Sequence, residues 1–181
     1  MKIQEKRTTR LTPTATQLHI TTYSATVALR DLGMGVEHGQ PYDTPLDIGT
    51  PRPVAFKHLE GIEVLNGQLM TPWGNCLHSE QQIFADLIDI NDIDASEQLL
   101  LRFWHGDRAW CQYHRQSRYD HNMDSWKDVI RTLSQDEELS YVVANLLFGR
   151  NSLRLRDFRY LCSERVSVAT ICSYHKELES I

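Results

Sequence analysis

Leu153 to Leu178, LRLRDFRYLCSERVSVATICSYHKEL, is the stretch whose reading decides how the rest of the 181-residue chain is taken. Two short helices joined by a tight polar turn are expected here. Leu153, Leu155, Phe158, Leu161 and Cys162 fall on one face at the 3.6-residue period, which is the pattern of a helix lying on a core. After Ser163-Glu164-Arg165 a second amphipathic segment turns Val168, Ile171, Cys172 and Leu178 inward. Ser167 stands where an N-cap belongs, because its hydroxyl accepts from one of the amides that the first helical turn leaves unsatisfied.

Working outward, the helical pattern reaches back to about Ser79. Ser79 with Gln82 predicts a capping box before Ile83, Phe84, Leu87 and Ile88, and Asp94 with Glu97 another before Leu99, Leu100, Phe103 and Trp104. Asp124 or Ser125 is expected to cap a third helix carrying Trp126, Val129, Ile130 and Leu133. Ser134 with Glu137 predicts the cap of a fourth, whose stripe of Leu139, Val142, Val143, Leu146 and Leu147 ends at Gly149.

The N-terminal part reads differently. Residues 1–17 are expected to form a flexible basic arm, and Leu18 to Tyr23, with its β-branched and aromatic residues, a strand. Ser24 to Leu32 fits a strand continuation or a short helix stopped by Gly33. Eight glycines and prolines between Gly33 and Phe56 exclude a long regular element. Asn66-Gly67, between Ile62-Glu-Val-Leu and Gln-Leu-Met-Thr71, predicts a hairpin, since this dipeptide tolerates the positive φ of a type I′ turn. The expected fold class is therefore α+β: a small N-terminal β or mixed lobe with a hairpin (18–75), then a mainly helical C-terminal bundle (76–181) ending in the helix pair.

Composition narrows the function classes. A hydrophobic share of 41% and a charged share of 24% are those of an ordinary globular chain. No apolar run reaches the 18 residues of a membrane span, and the start lacks a signal-peptide core, so a cytoplasmic protein without membrane contact is expected. The net charge is −5, unevenly spread: residues 1–100 hold 7 Lys and Arg against 13 Asp and Glu, whereas residues 101–181 hold 12 against 11. Five arginines (Arg150, Arg154, Arg156, Arg159 and Arg165) crowd the segment before the last helix against Asp157 and Glu164.

Other constellations are thinner. Cys111-Gln-Tyr-His114 and Cys172-Ser-Tyr-His175 each place a thiol and an imidazole three residues apart, a helical metal-ligand spacing, but the set matches no zinc framework. Asp86 to Asp94 fails the calcium-loop test, with Asp94 where the loop needs Gly and Leu100 where it needs Glu. Asp120-His121 with Asp124, and His58 with Glu60, are carboxylate and imidazole neighbours without a phosphate loop or nucleophile elbow. No catalytic residues, metal or cofactor are expected. The four cysteines, Cys76, Cys111, Cys162 and Cys172, read as buried free thiols of a reducing compartment. Trp73, Trp104, Trp110 and Trp126 read as core or interface residues, and Trp110 alone is flanked by arginines in the manner of a base-stacking site.

The run Val166-Ser167-Val168-Ala169-Thr170-Ile171-Cys172-Ser173-Tyr174 resembles the turn and recognition helix of helix-turn-helix DNA-binding regulators, where V-S-x-x-T-[IV]-S-R is a common pattern. Ser163 to Ser167 followed by Lys176-Glu177-Leu178 is also similar to that element in the C subunit of the flagellar master activator, whose four-cysteine zinc cluster this chain lacks. The resemblance spans about 26 residues. It departs from the family where a small residue inside the first helix and a glycine in the turn let the helices approach. Leu161 and Arg165, or Arg159 and Ser163 in a longer turn, stand there instead. The resemblance implies a transcriptional or accessory regulator that binds double-stranded DNA, with Ser167, Val168, Ala169 and Ser173 facing base edges and Arg150, Arg154, Arg156, Arg165 and Lys176 holding phosphates. It also implies a homo-oligomer, since paired half-sites strengthen one reading helix. The alternative is a non-enzymatic subunit that docks on a protein partner in a larger complex and whose helix pair is core.

Overall fold

The computed structural model describes residues 2–10, 19–48, 52–109, 111, 125–162 and 166–180. They divide into two compact units, one built from residues up to Gln98 and one from Leu99 onward, and the fold class is α+β.

The first unit is a five-stranded mixed sheet in the order β1-β2-β5-β3-β4. β1 is Lys2–Arg10 and β2 is His19–Ala28. They pair antiparallel from Lys2 opposite Thr26 to Arg10 opposite His19, with a register shift between Ile3 and Glu5. The expected N-terminal arm is thus, over residues 2–10, a strand. Four Lys and Arg hid it in the sequence, because they break the apolar alternation by which a half-buried strand is read. β3 (Val54–Lys57) and β4 (Ile62–Val64) form an antiparallel hairpin, and β3 lies parallel to β5 (Gln82–Asp89), which pairs antiparallel with β2 on its other side.

Two expectations fail in this unit for visible reasons. Ile83, Phe84, Leu87 and Ile88 fit a helical period, but Ala85 completes the alternation Ile83, Ala85, Leu87, all of them buried. β5 is flanked by β2 and β3, so its polar backbone is satisfied by neighbours on both sides and the segment is a strand. Ser79 is no cap: its amide donates to the Val36 carbonyl and its carbonyl accepts from Arg30. The predicted hairpin at Asn66-Gly67 is instead the start of a helix, α1 (Gly67–Gly74). Asn66 is buried, its Oδ1 accepts from the Val54 amide at 2.9 Å and its Nδ2 donates to the Arg52 carbonyl at 2.7 Å. The asparagine that suits a turn is used here as a staple between chain segments, and the hairpin turn lies one strand earlier, at residues 58–61.

β2 runs straight into a 3₁₀ turn, Leu29–Leu32, ended by Gly33 at φ 69°. Gly35 (φ 102°) is required sterically as well, since a β-carbon there would collide with the Ser79 backbone. The breaker-rich loop that follows is held by Gln81, whose Oε1 accepts from the Tyr42 amide and whose Nε2 donates to the Thr44 carbonyl. Val27, Leu29, Leu32, Ile48, Met70, Ile83 and Leu87 pack the core. The sheet reaches Asp89, so the sheet unit extends past the expected boundary at residue 75.

α2 (Ala95–Phe103) begins with the expected reciprocal box: the Glu97 amide donates to Asp94 at 2.8 Å and the Asp94 amide to Glu97 at 2.9 Å. It continues into a π-helical turn, Trp104–Arg108. In the second unit follow α3 (Ser125–Gln135), α4 (Glu137–Phe148), α5 (Leu155–Leu161) and α6 (Val168–Glu179). α3 buries Trp126, Val129, Ile130 and Leu133 and packs on α4, α6 and the π turn, while α5 packs on α6. The cap of α4 is Asp136, which accepts from the Leu139 amide at 2.9 Å. Ser134, the residue expected there, lies exposed within α3. The α3 helix runs on to Gln135, past the serine, and leaves the capping position to the aspartate. Gly149 ends α4 in the left-handed conformation at φ 63°, as expected. Asp124 lies outside the described residues. No helix among the described residues is long and apolar enough to cross a membrane.

Candidate nucleic-acid interface

The last two helices are fixed by three local devices. Asp157, 3% exposed, accepts from Arg150 through both terminal nitrogens, at 2.8 and 3.1 Å, and from the Arg154 amide at 2.8 Å. One buried carboxylate thereby satisfies an orphan amide of α5 and ties the helix to the end of α4. Ser167 caps α6 as predicted, its Oγ accepting from the Thr170 amide at 3.0 Å. On the inner side of α6, Tyr174 packs edge-on against Trp126 of α3, with centroids 5.4 Å apart, and its hydroxyl accepts from Arg131 at 3.1 Å.

This anchoring sorts the faces of α6. Ile171 and Tyr174 are buried and Cys172, His175 and Leu178 are half-buried, whereas Ser167, Val168, Ala169, Thr170, Ser173, Lys176 and Glu177 are exposed. Val168, expected on the inner side, is 39% exposed, and Leu155, expected on the inner face of α5, is 38% exposed. In both cases the residue begins its helix, where the chain is still entering from outside the packed face. The buried Val166, just before the cap, takes the apolar place at the entry of α6.

The sequence-named residues are thus distributed in three ways. Ser167, Val168, Ala169, Ser173 and Lys176 are brought together, with Ala169, Ser173 and Lys176 at intervals of four and three along one outward ribbon. Arg154 and Arg156 are exposed on the chain entering α5 and in its first turn. Arg150 is committed to Asp157, and its side chain is only 24% exposed. Arg165 lies outside the described residues, as do His114, Asp120, His121 and Trp110.

The other candidates do not assemble. Cys172 and His175 share α6, but the His175 ring lies edge-on to Phe158, and no group of three potential metal ligands occurs among the described residues. His58 faces Glu63 across the hairpin at 3.2 Å, beside an open cleft of about 570 Å³ lined by residues 58–62, Ile90 and Asn91. Asp89 accepts from the Asn91 amide and side chain, which hold its carboxyl below the usual range, so the acidic stretch ends one element and caps the next.

Sequence reasoning missed the π turn. Burial, reinforced by Arg108, pushes His105 down to about 4, and burial followed by the charge of Asp128 raises Asp107. Gly106 in Trp-His-Gly-Asp-Arg was the one signal of an irregular helix. No protein-family profile, curated protein or solved structure matches the chain.

Proposed function

We propose that the C-terminal unit binds double-stranded DNA, as a transcriptional or accessory regulator, through the outward ribbon of α6. One observation supports this above the rest: small and short polar side chains, Ser167, Ala169 and Ser173, are left exposed on a helix whose opposite face is locked by Ile171 and Tyr174. A helix that served only as core would gain nothing from a small-residue outer ribbon, whereas a groove floor needs close approach of the backbone. Arg154, Arg156 and Lys176 supply the cations for flanking phosphates.

Fluorescence anisotropy with labelled duplexes over a salt series tests the reading. Binding should weaken linearly on a log–log plot by about 0.9 per phosphate contact. A chain that shows no salt-sensitive binding to any duplex at micromolar concentration does not bind DNA by itself, and docking on a protein partner then becomes the better account of the exposed ribbon.

A further inference from the structure

The π turn holds a charge that no described residue balances. Arg108 is 6% exposed, its guanidinium carbon stands 3.7 Å from the Trp104 ring centroid and 5.5 Å from that of Tyr160. Its Nε is buried without a hydrogen-bond acceptor, and no carboxylate pairs with the guanidinium among the described residues. Arginine does not escape such a site by losing its proton. Two aromatic faces return only part of what an unpaired ion in the interior costs.

Among the described residues, the neighbours whose charge bears on Arg108 are Tyr160, Cys111 and Cys162, and none of them is a carboxylate. His105, whose pKa burial lowers to about 4, is uncharged at neutral pH, so Arg108 is the cation of the site among the described residues. Asp107 is exposed. Single π turns inside α-helices occur frequently at functional sites.

We infer that Arg108 is a binding site for a small oxyanion, a phosphate or carboxylate group carried by a ligand, with Trp104 and Tyr160 as its aromatic walls. The guanidinium edge supplies the paired donors that either group accepts, and the low-dielectric surroundings strengthen the bond. Tyr160 belongs to α5, so the occupied site would touch the helix pair, but the inference rests on Arg108 alone and does not use the DNA reading.

Thermal melts of the full chain in sodium phosphate, sodium acetate and sodium chloride at equal ionic strength test it. Phosphate or acetate should raise Tm by a few degrees above chloride and do so saturably, as ligand linkage requires. The anion that acts at lower concentration identifies the class. Arg108→Met should melt no lower than the parent in chloride and show no anion-specific gain. Arg108→Lys, which keeps the charge but loses the planar fork, should keep the gain with a half-saturating concentration about tenfold higher. The inference fails if neither anion exceeds the chloride control in the parent, or if Arg108→Met retains the gain. Should Arg108→Met not fold, an unchanged half-saturating concentration in Arg108→Lys overturns it equally.

Discussion

Asp157 and Arg150 show how one residue pair redirects a functional reading. Five arginines in a row of sixteen residues look alike in sequence, but Arg150 faces a carboxylate that is 3% exposed, whereas Arg154 and Arg156 are exposed. Removing Arg150 leaves a buried carboxylate without its counter-charge and removing Asp157 leaves a half-buried guanidinium without one, so Arg150→Ala and Asp157→Ala should each lower stability by about 2–3 kcal/mol, less than for a fully buried pair because Arg150 is partly wet. Arg154→Ala and Arg156→Ala should change it by less than about 0.5 kcal/mol. Urea denaturation separates the two groups, and equal losses at all four positions would show that the arginines are not divided in this way. His105 gives a second test at this scale. Its folded pKa is depressed to about 4 from 6.5, so the unfolded chain takes up the proton first: the histidine's contribution is intact above about pH 6.5, falls as pH drops towards 4, and is constant below. By pH 5 the loss should be about 1–2 kcal/mol, after allowing for its partial exposure. His105→Gln should therefore lose less stability than the parent between pH 7.5 and pH 5; equal losses would mean that His105 protonates without cost.

Elements were legible where local chemistry and tertiary demand agreed. The Asp94–Glu97 box, the Gly149 stop and the Ser167 cap each involve groups within a few residues, so the sequence contains the whole interaction. Asn66-Gly67 misled because the partners of Asn66 are Val54 and Arg52, whose proximity depends on the sheet. β5 misled because Ile83 and Leu87, four apart, fit both periods, and the deciding fact, strands on both sides, is not local. In the helix pair, the inner residues Phe158, Leu161 and Ile171 were legible from period, while the exposure of Val168 and Leu155 was not, since periodicity does not say where a chain enters its helix. The arginines at the start of α5 and the outward ribbon of α6 lead to separate predictions. Replacing Arg154 and Arg156 together should flatten the salt slope of duplex binding by roughly two units and weaken every sequence alike. Ser173→Ala should leave the slope unchanged and cost on the order of 1 kcal/mol on the preferred site only. A slope that stays at the parental value in the double variant would remove these arginines from the interface.

At the scale of the whole molecule the charge is divided as the fold is. Residues 1–100 carry 7 basic against 13 acidic side chains and residues 101–181 carry 12 against 11, so an acidic sheet unit and a nearly neutral helical unit share one chain with a net charge of −5. Whatever the helical unit gains from phosphate contact is opposed by the repulsion of the remaining chain from a polyanion, and that repulsion is long-ranged only when salt is low. A fragment beginning at Ile93 keeps the Asp94–Glu97 cap of α2 and drops the acidic sheet. Provided that its circular dichroism retains the helical signal, it should bind duplex more tightly than the full chain at 10 mM salt, where the Debye length is about 30 Å. The difference should shrink towards nothing at 150 mM, where that length is about 8 Å. A full chain that binds more tightly at every salt concentration would show the opposite, that the sheet unit adds contacts of its own which outweigh its charge.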